Sequence, residues 1–363
     1  MFTNPYPKPC HALSMAREGA SGTAGGGRLV GLDGLRGIAA IFVLMLHFDD
    51  LSGVRGVFAH GYLAVDFFYM LSGFVLVAPI EAAPRQNSAL RFMVARVARL
   101  WPLMALGVLL GIATHASAWG FAPVLPLIAM ALFHVPRLDG NAMTFPLNQP
   151  QWSLEVELAA NAAHLLLLRR LSVTGLLLIS ASCWIVLLPV SLREGSMQLG
   201  SQGDDWIYGF VRAGFAYPLG VVLGRHCFTA TRRATHWLVA PALLLAVLLL
   251  PSLPGLPDAL MDLLALLVFP AVLAAGALAN VPPGIAQRFS WLGGISFPLY
   301  ATHFPILEAA HVVGDTLPLA LRAPLFLCAL AACVWIAHLI AKSPLSRGIP
   351  LPLPRVKQLQ GAA

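Results

Sequence analysis

The chain has 363 residues, of which 58% are hydrophobic and 11% are charged, and its formal net charge is +7. A soluble domain of this size carries about 25% charged residues, so the composition excludes an ordinary soluble protein and indicates a polytopic membrane protein. The basic residues separate apolar runs instead of clustering, which argues against a nucleic-acid-binding surface.

The first 28 residues are rich in Gly, Ala and Ser and lack an apolar core, so they predict a disordered cytoplasmic tail and not a signal peptide. Residues 29–341 form the predicted membrane domain, and residues 342–363 form a Pro-rich cytoplasmic tail. The domain contains ten apolar runs, each near the ~20 residues that cross a bilayer: 34–52, 62–80, 99–117, 152–168, 172–191, 206–224, 237–254, 258–279, 291–312 and 319–341.

An eleventh run, near 122–136, is shorter and contains three prolines. With ten spans and both termini in the cytoplasm, most basic residues lie on the inner side, as the positive-inside rule requires. Counting 122–136 as a further span removes this asymmetry. The predicted fold is therefore an all-α bundle of about ten transmembrane helices, plus a re-entrant or interfacial helix near 122–136 on the outer side.

Two ionisable residues lie in the first apolar run. Arg36 and His47 are eleven residues apart, which is about three helical turns, so both side chains share one helix face about 16.5 Å apart. Ionisable groups inside a membrane helix indicate a functional site. The five cysteines are odd in number and lack metal-ligand spacing, so they predict free thiols and no metal site.

Five sequence blocks, in order, resemble the acyltransferase-3 family of integral-membrane O-acyltransferases. The resemblance covers about residues 29–341. The blocks are LDGLRGIAA at 32–40 followed by His47, GYLAVDFFYMLSGF at 61–74, RFMVARVARLWP at 91–102, QWSLEVE at 151–157 and SFPLYATH at 296–303. Departures are mild: Phe297 replaces a usual Tyr, and Ala64 replaces a frequent Gly.

The resemblance implies transfer of an acyl group, most commonly acetyl, from cytoplasmic acyl-CoA to a hydroxyl group. The acceptor would be a cell-surface carbohydrate or another glycosylated molecule. Acyl-CoA is a co-substrate, and no permanently bound cofactor is expected. The implied location is a bacterial inner membrane, in the stand-alone form without a fused extracytoplasmic hydrolase domain.

The expected chemistry uses His47 as general base on the acceptor hydroxyl, because imidazole titrates near neutral pH. Glu157, or else Asp66, is expected to orient that imidazole, as a carboxylate does in a triad. Helix depths place Glu157 level with the two histidines. His303 or Tyr300 is expected to donate a hydrogen bond to the thioester oxygen. A covalent acyl-His47 intermediate is an alternative.

The predicted donor site consists of Arg36, Arg91, Arg96 and Arg99, because guanidinium groups match the phosphates of CoA. The alternative is that the three later arginines are only topological anchors. Arg212 is expected to extend outward along its helix, with acceptor binding as the alternative. Asp66 is equally well interpreted as the partner of a basic group in a structural pair. Gly73 is interpreted as a close helix contact.

A proton-coupled transporter or flippase of a glycolipid-like substrate is the alternative function, since such proteins also use ionisable residues at the membrane centre. Transporters often contain two related halves. The Arg36–His47 block and the block at 151–157 have no second copy in this chain, so the enzyme is preferred.

Overall fold

The computed structural model describes residues 29–53, 56, 58–81, 87–119, 121–226, 234–249 and 257–349. The predicted tail at 1–28, and residues 350–363 of the predicted C-terminal tail, lie outside the described residues. Within the described ranges the chain is almost entirely helical. The α-helices, numbered in chain order, are α1 (Val30–Ser52), α2 (Ala64–Glu81), α3 (Asn87–Trp119), α4 (Phe121–Leu132), α5 (Gln151–Leu166), α6 (Val173–Glu194), α7 (Trp206–His226), α8 (Val239–Leu248), α9 (Asp258–Leu266), α10 (Phe269–Ala277), α11 (Pro283–Asp315) and α12 (Leu319–Lys342).

Each of the ten predicted apolar runs is helical over most of its length, which confirms an all-α polytopic membrane bundle. Among the described residues, seven segments are long and apolar enough to cross a membrane, α9 and α10 counting together as one. The other three predicted runs correspond to α5, α8 and α11. The helices α5 and α8 are short, and α11 is long but is not among the seven candidate membrane-spanning segments. We call the end of the bundle where α1 begins the arginine end and the opposite end the loop end.

Glycines allow the helices α2 and α7 to pack closely against each other. On α7, a Cβ added at Gly220 would lie 1.9 Å from the carbonyl oxygen of Met70 on α2, and one at Gly73 would lie 2.2 Å from that of Tyr217. Small residues let membrane helices approach in this way. The interpretation of Gly73 as a close helix contact is confirmed.

The predicted helix near 122–136 forms as α4 and folds back along α3. The indole N–H of Trp101 donates to the carbonyl oxygen of Leu132 at 3.3 Å. Trp101 lies eighteen residues before the end of α3, about 27 Å at 1.5 Å per residue. The helix α4 therefore runs back alongside α3. Non-helical backbone follows it and leads to α5, an arrangement that membrane proteins tolerate where the backbone is buried in protein or lines a cavity.

Candidate functional site

Two imidazoles meet between α1 and α11, which pack side by side. The ring centroids of His47 and His303 are 5.3 Å apart with 30° between the ring planes, and Phe304 packs edge-on against His47 at 5.1 Å. The helices approach closely because a Cβ at Gly37 would lie 2.4 Å from the Cβ of Leu292. We call His47, His303 and Tyr300 the histidine layer.

The hydrogen bonds of His303 fix its tautomer. Its Nδ1 lies 2.9 Å from the carbonyl oxygen of Leu299 and 3.0 Å from that of Tyr300. Because a carbonyl oxygen only accepts hydrogen bonds, Nδ1 carries the proton and the neutral ring has a bare lone pair at Nε2. This Nε2 is buried and has no partner among the described residues. The neutral imidazole is thus an acceptor there, contrary to the expectation that it donates to a thioester.

The Tyr300 hydroxyl is already engaged. It lies 2.5 Å from Oγ of Ser153 and 3.4 Å from the carbonyl oxygen of Pro150. The Tyr300 ring lies 6.0 Å from that of His303. Tyr300 therefore joins α11 to the start of α5 beside the histidines, and its hydroxyl is not free to donate to a substrate in this state.

A cavity of about 30 Å³ reaches the histidine layer from the loop end, with room for one or two water molecules. His47 and Tyr300 line it, and the loops before α5 and before α7 contribute amide and hydroxyl groups. The other polar and aromatic lining residues are Tyr62, Gln149, Trp152, Gln198, Ser201 and Arg212.

Arg212 is buried at the side of this cavity, which corrects the prediction that it extends outward. Its guanidinium donates to both carboxylate oxygens of Asp66, at 3.1 and 2.6 Å, and to the carbonyl oxygens of Leu199 and Tyr62. It also lies 5.6 Å from the ring centroid of Trp152. Both carboxylate oxygens of Asp66 are held by this cation. Asp66 is therefore paired with Arg212 and not placed to orient His47.

Glu157 lies at a different level, beside the arginines. Its Oε1 accepts hydrogen bonds from Nη2 of Arg96 at 2.8 Å and from the hydroxyl of Ser72 at 2.5 Å. Arg36, which lies eleven residues below His47 on α1, is within electrostatic range of Glu157. The contacts of Glu157 thus place it with the arginines, and the expectation that it orients His47 at the depth of the two histidines is not supported.

We call Arg36, Arg96, Arg99, Glu157 and Ser72 the arginine layer. Its three guanidinium groups lie within electrostatic range of one another, and Arg36 also interacts with Asp33. The guanidinium groups of Arg36, Arg96 and Arg99 together carry three positive charges. The carboxylates of Glu157 and Asp33 carry two negative charges, so the net charge of this region is positive. Nε of Arg96 is buried without a partner among the described residues. The remaining predicted arginine, Arg91, is exposed near the start of α3.

Several residues of this region were missed by the sequence interpretation. Ser153 lies one helical turn before Glu157 inside the recognised block at 151–157, so the sequence could have indicated it as a candidate site residue. Gln149 and Gln198 lie in loops with no periodic pattern, and no signal distinguished them. Tyr69 lies inside an apolar run and looks like a packing residue, yet its buried hydroxyl has no partner in the described part of the chain.

The family model described as an acyltransferase domain matches residues 29–342. A curated relative, "Protein 2 in picA locus" of Rhizobium radiobacter, is 32% identical over 156 residues, which is 38% of this chain and 81% of that protein. No solved structure matches this chain. The five sequence blocks, the helical bundle and the family match agree, and the chain belongs to the acyltransferase-3 family and is a membrane acyltransferase.

Proposed function

We propose that the enzyme transfers an acyl group, in the simplest case acetyl, from acyl-CoA to a hydroxyl of a carbohydrate acceptor. The observation that carries the proposal is the imidazole of His47, which lines a cavity and lies 5.3 Å from the ring of His303. Along α1, His47 lies about 16.5 Å from Arg36 and therefore from the level of the arginine layer. Donor and acceptor would enter from opposite ends of the bundle.

The arginine layer is suited to the donor. CoA carries a pyrophosphate and a 3′-phosphate, and a planar guanidinium binds phosphate oxygens with two parallel hydrogen bonds. Arg36, Arg96 and Arg99 would bind these groups, with Glu157 holding Arg96 in place. This assignment puts the arginine end, and both termini, in the cytoplasm of a bacterial inner membrane.

The cavity is suited to a polyhydroxylated acceptor. Gln149 and Gln198 each offer an amide that both donates and accepts hydrogen bonds, and Ser201 offers a hydroxyl. Trp152 adds a flat apolar face. A sugar ring presents hydroxyls along its edge and C–H groups on its faces, so these side chains fit a carbohydrate hydroxyl directed at His47.

In the proposed mechanism His47 removes the acceptor proton as the hydroxyl oxygen attacks the acyl carbon. The C–S bond then breaks with its electron pair moving to sulfur, and the imidazolium returns the proton to yield free CoA. The bare Nε2 of His303 would stabilise the imidazolium in the place that a carboxylate takes in a triad. A covalent acyl-His47 intermediate is the alternative order of steps.

The test uses the full chain in lipid nanodiscs with radiolabelled acetyl-CoA, methyl glycosides and extracted membrane glycolipids. We expect His47→Ala to lower CoA release by about 10²–10⁴-fold, the usual contribution of a general base. His338→Ala, which changes a histidine beside Trp291 outside both layers, is the control and should keep the wild-type rate. A wild-type rate in His47→Ala removes His47 from the mechanism.

The same preparation tests the donor site and the transporter alternative. Arg99→Ala should raise the KM for acetyl-CoA by an order of magnitude or more with little change in the KM for acceptor. Counterflow of glycolipid without consumption of acetyl-CoA would overturn the proposal in favour of transport. Mass spectrometry of surface glycans from cells with and without the gene should show a difference of one acyl group per modified residue and so identify the acceptor.

A further inference from the structure

Acyl transfer requires a hydrogen-bond donor that the residues of the histidine layer do not supply. Negative charge develops on the acyl carbonyl oxygen in the transition state, and a fixed donor that points at this oxygen stabilises it. The neutral imidazole of His303 offers only a lone pair at its free nitrogen. The hydroxyl of Tyr300 is engaged with Ser153, and that of Ser72 with Glu157.

Tyr69 has a free hydroxyl at the right depth. It is 1% exposed, and its hydroxyl is buried without a partner among the described residues. It lies on α2 three residues after Asp66 and three before Ser72, so about 4.5 Å separates it along the helix from each. Its hydroxyl is within electrostatic range of Tyr300 and Glu157. Tyr69 therefore lies between the histidine layer and the arginine layer.

A buried hydroxyl without a partner is unfavourable, because the group loses its hydrogen bonds to water. A phenylalanine would fill the same ring volume without this penalty. The orphaned hydroxyl of Tyr69 is therefore unexplained by packing.

We propose that Tyr69 is a catalytic residue whose hydroxyl donates a hydrogen bond to the acyl carbonyl oxygen during transfer. The inference rests on the proposed function. When the acceptor oxygen bonds to the acyl carbon, the C=O π pair moves to the carbonyl oxygen, and the Tyr69 hydroxyl holds the resulting oxyanion without losing its proton. This electron pair re-forms the C=O bond as the C–S bond breaks with its own electron pair moving to sulfur. The sulfur then receives the proton that His47 removed from the acceptor.

Tyr69→Phe tests the proposal with acetyl-CoA as donor in the same nanodisc preparation. Removal of one oxyanion donor lowers kcat by about 10²–10³-fold, and we expect that loss with a KM for acetyl-CoA within about twofold of wild type. The melting temperature should stay equal or rise, because no hydrogen bond is lost. A wild-type kcat in a folded Tyr69→Phe overturns the proposal.

Tyr217→Phe is the matched control. Tyr217 is also a buried tyrosine, but its hydroxyl donates to Asn161 at 3.0 Å and lies 3.2 Å from Nδ1 of His164. Its loss should lower the melting temperature and leave kcat within a few-fold of wild type. If the role of Tyr69 were purely structural, Tyr69→Phe would also lower the melting temperature and leave kcat within a few-fold of wild type. The proposal predicts the opposite: a large loss of kcat and an unchanged or higher melting temperature.

A spectroscopic measurement keeps the proposal testable if activity is too low to compare. The ketone analogue of acetyl-CoA, labelled with ¹³C at its carbonyl, is bound to each protein, and the infrared carbonyl band is recorded. A hydrogen bond from Tyr69 should lower the stretching frequency in wild type, and Tyr69→Phe should raise it. Equal frequencies in both proteins overturn the proposal, whereas absence of CoA release by wild type contradicts only the proposed function on which it rests.

Discussion

Breaking the buried Asp66–Arg212 pair should destabilise the bundle, and replacing both residues should restore much of the loss. The side chains are 0% and 1% exposed, and four hydrogen bonds satisfy the guanidinium. Removing one partner of a buried ion pair costs about 3–5 kcal/mol, whereas an apolar pair of similar volume is often neutral or stabilising.

The two single variants should differ in severity. Asp66→Leu leaves Arg212 charged, because a guanidinium does not lose its proton in proteins. Arg212→Met leaves a carboxyl group that becomes neutral by binding a proton, so the loss is smaller. At about 2–4 °C per kcal/mol for a chain larger than 150 residues, Asp66→Leu should lower the melting temperature by roughly 6–20 °C.

The assay is thermal unfolding in nanodiscs with a thiol-reactive fluorophore that reports exposure of Cys333, which is fully buried in the folded chain. Asp66→Leu, Arg212→Met and the double variant form a double-mutant cycle. Arg137→Met, which removes an exposed pair with Asp139, is the control and should change little. Single variants that melt within 2 °C of wild type, or a double variant as unstable as the two losses summed, would refute the reasoning.

Two further predictions concern pH and packing. The hydrogen bond and charge of Asp262 raise the pKa of His60 above its ordinary value, so its stabilising contribution is complete below about pH 6.5 and is lost as pH rises through the raised pKa. Melting temperatures of wild type and His60→Gln should therefore converge above that pKa, and a constant difference across pH would contradict this. Gly220→Ala should lower the melting temperature because its Cβ would meet the Met70 carbonyl oxygen at 1.9 Å, whereas Gly294→Ala, with open space around it, should leave the melting temperature unchanged or raise it slightly.

Hydropathy predicted most of the fold. The apolar runs became helices because their length and composition leave few alternatives in lipid, and the proline-containing run near 122–136 became the short helix α4. The vicinity of Arg36 and Arg96 followed from their positions near the same helix ends. The contact of Glu157 with Arg96 could not be predicted from the sequence. Counting residues along a helix gives the depth of a side chain, but it does not give the rotation of the helix or the neighbour that the side chain contacts.

The same limitation explains why the role of Asp66 stayed open and why the burial of Arg212 was not predicted. Each is a charged residue inside an apolar run, and the sequence alone permits either to extend toward water. Their pairing depends on the contact between α2 and α7, which the glycines on both helices bring close. Gln149, Gln198 and the free hydroxyl of Tyr69 were unpredictable for another reason, because loop conformation and hydrogen-bond satisfaction are properties of the assembled structure.

The arrangement separates two charge environments that a membrane acyltransferase has to join. A single rigid helix, α1, carries Arg36 into the arginine layer and His47 into the histidine layer, so the spacing between them is set by helix geometry and does not depend on loops. Between the layers lies Tyr69 on α2, whose buried hydroxyl has no partner among the described residues. In the proposed reaction, the charged groups of acyl-CoA would remain at the arginine end while the uncharged thioester alone advances toward His47, which avoids burying phosphate in the centre of the bundle.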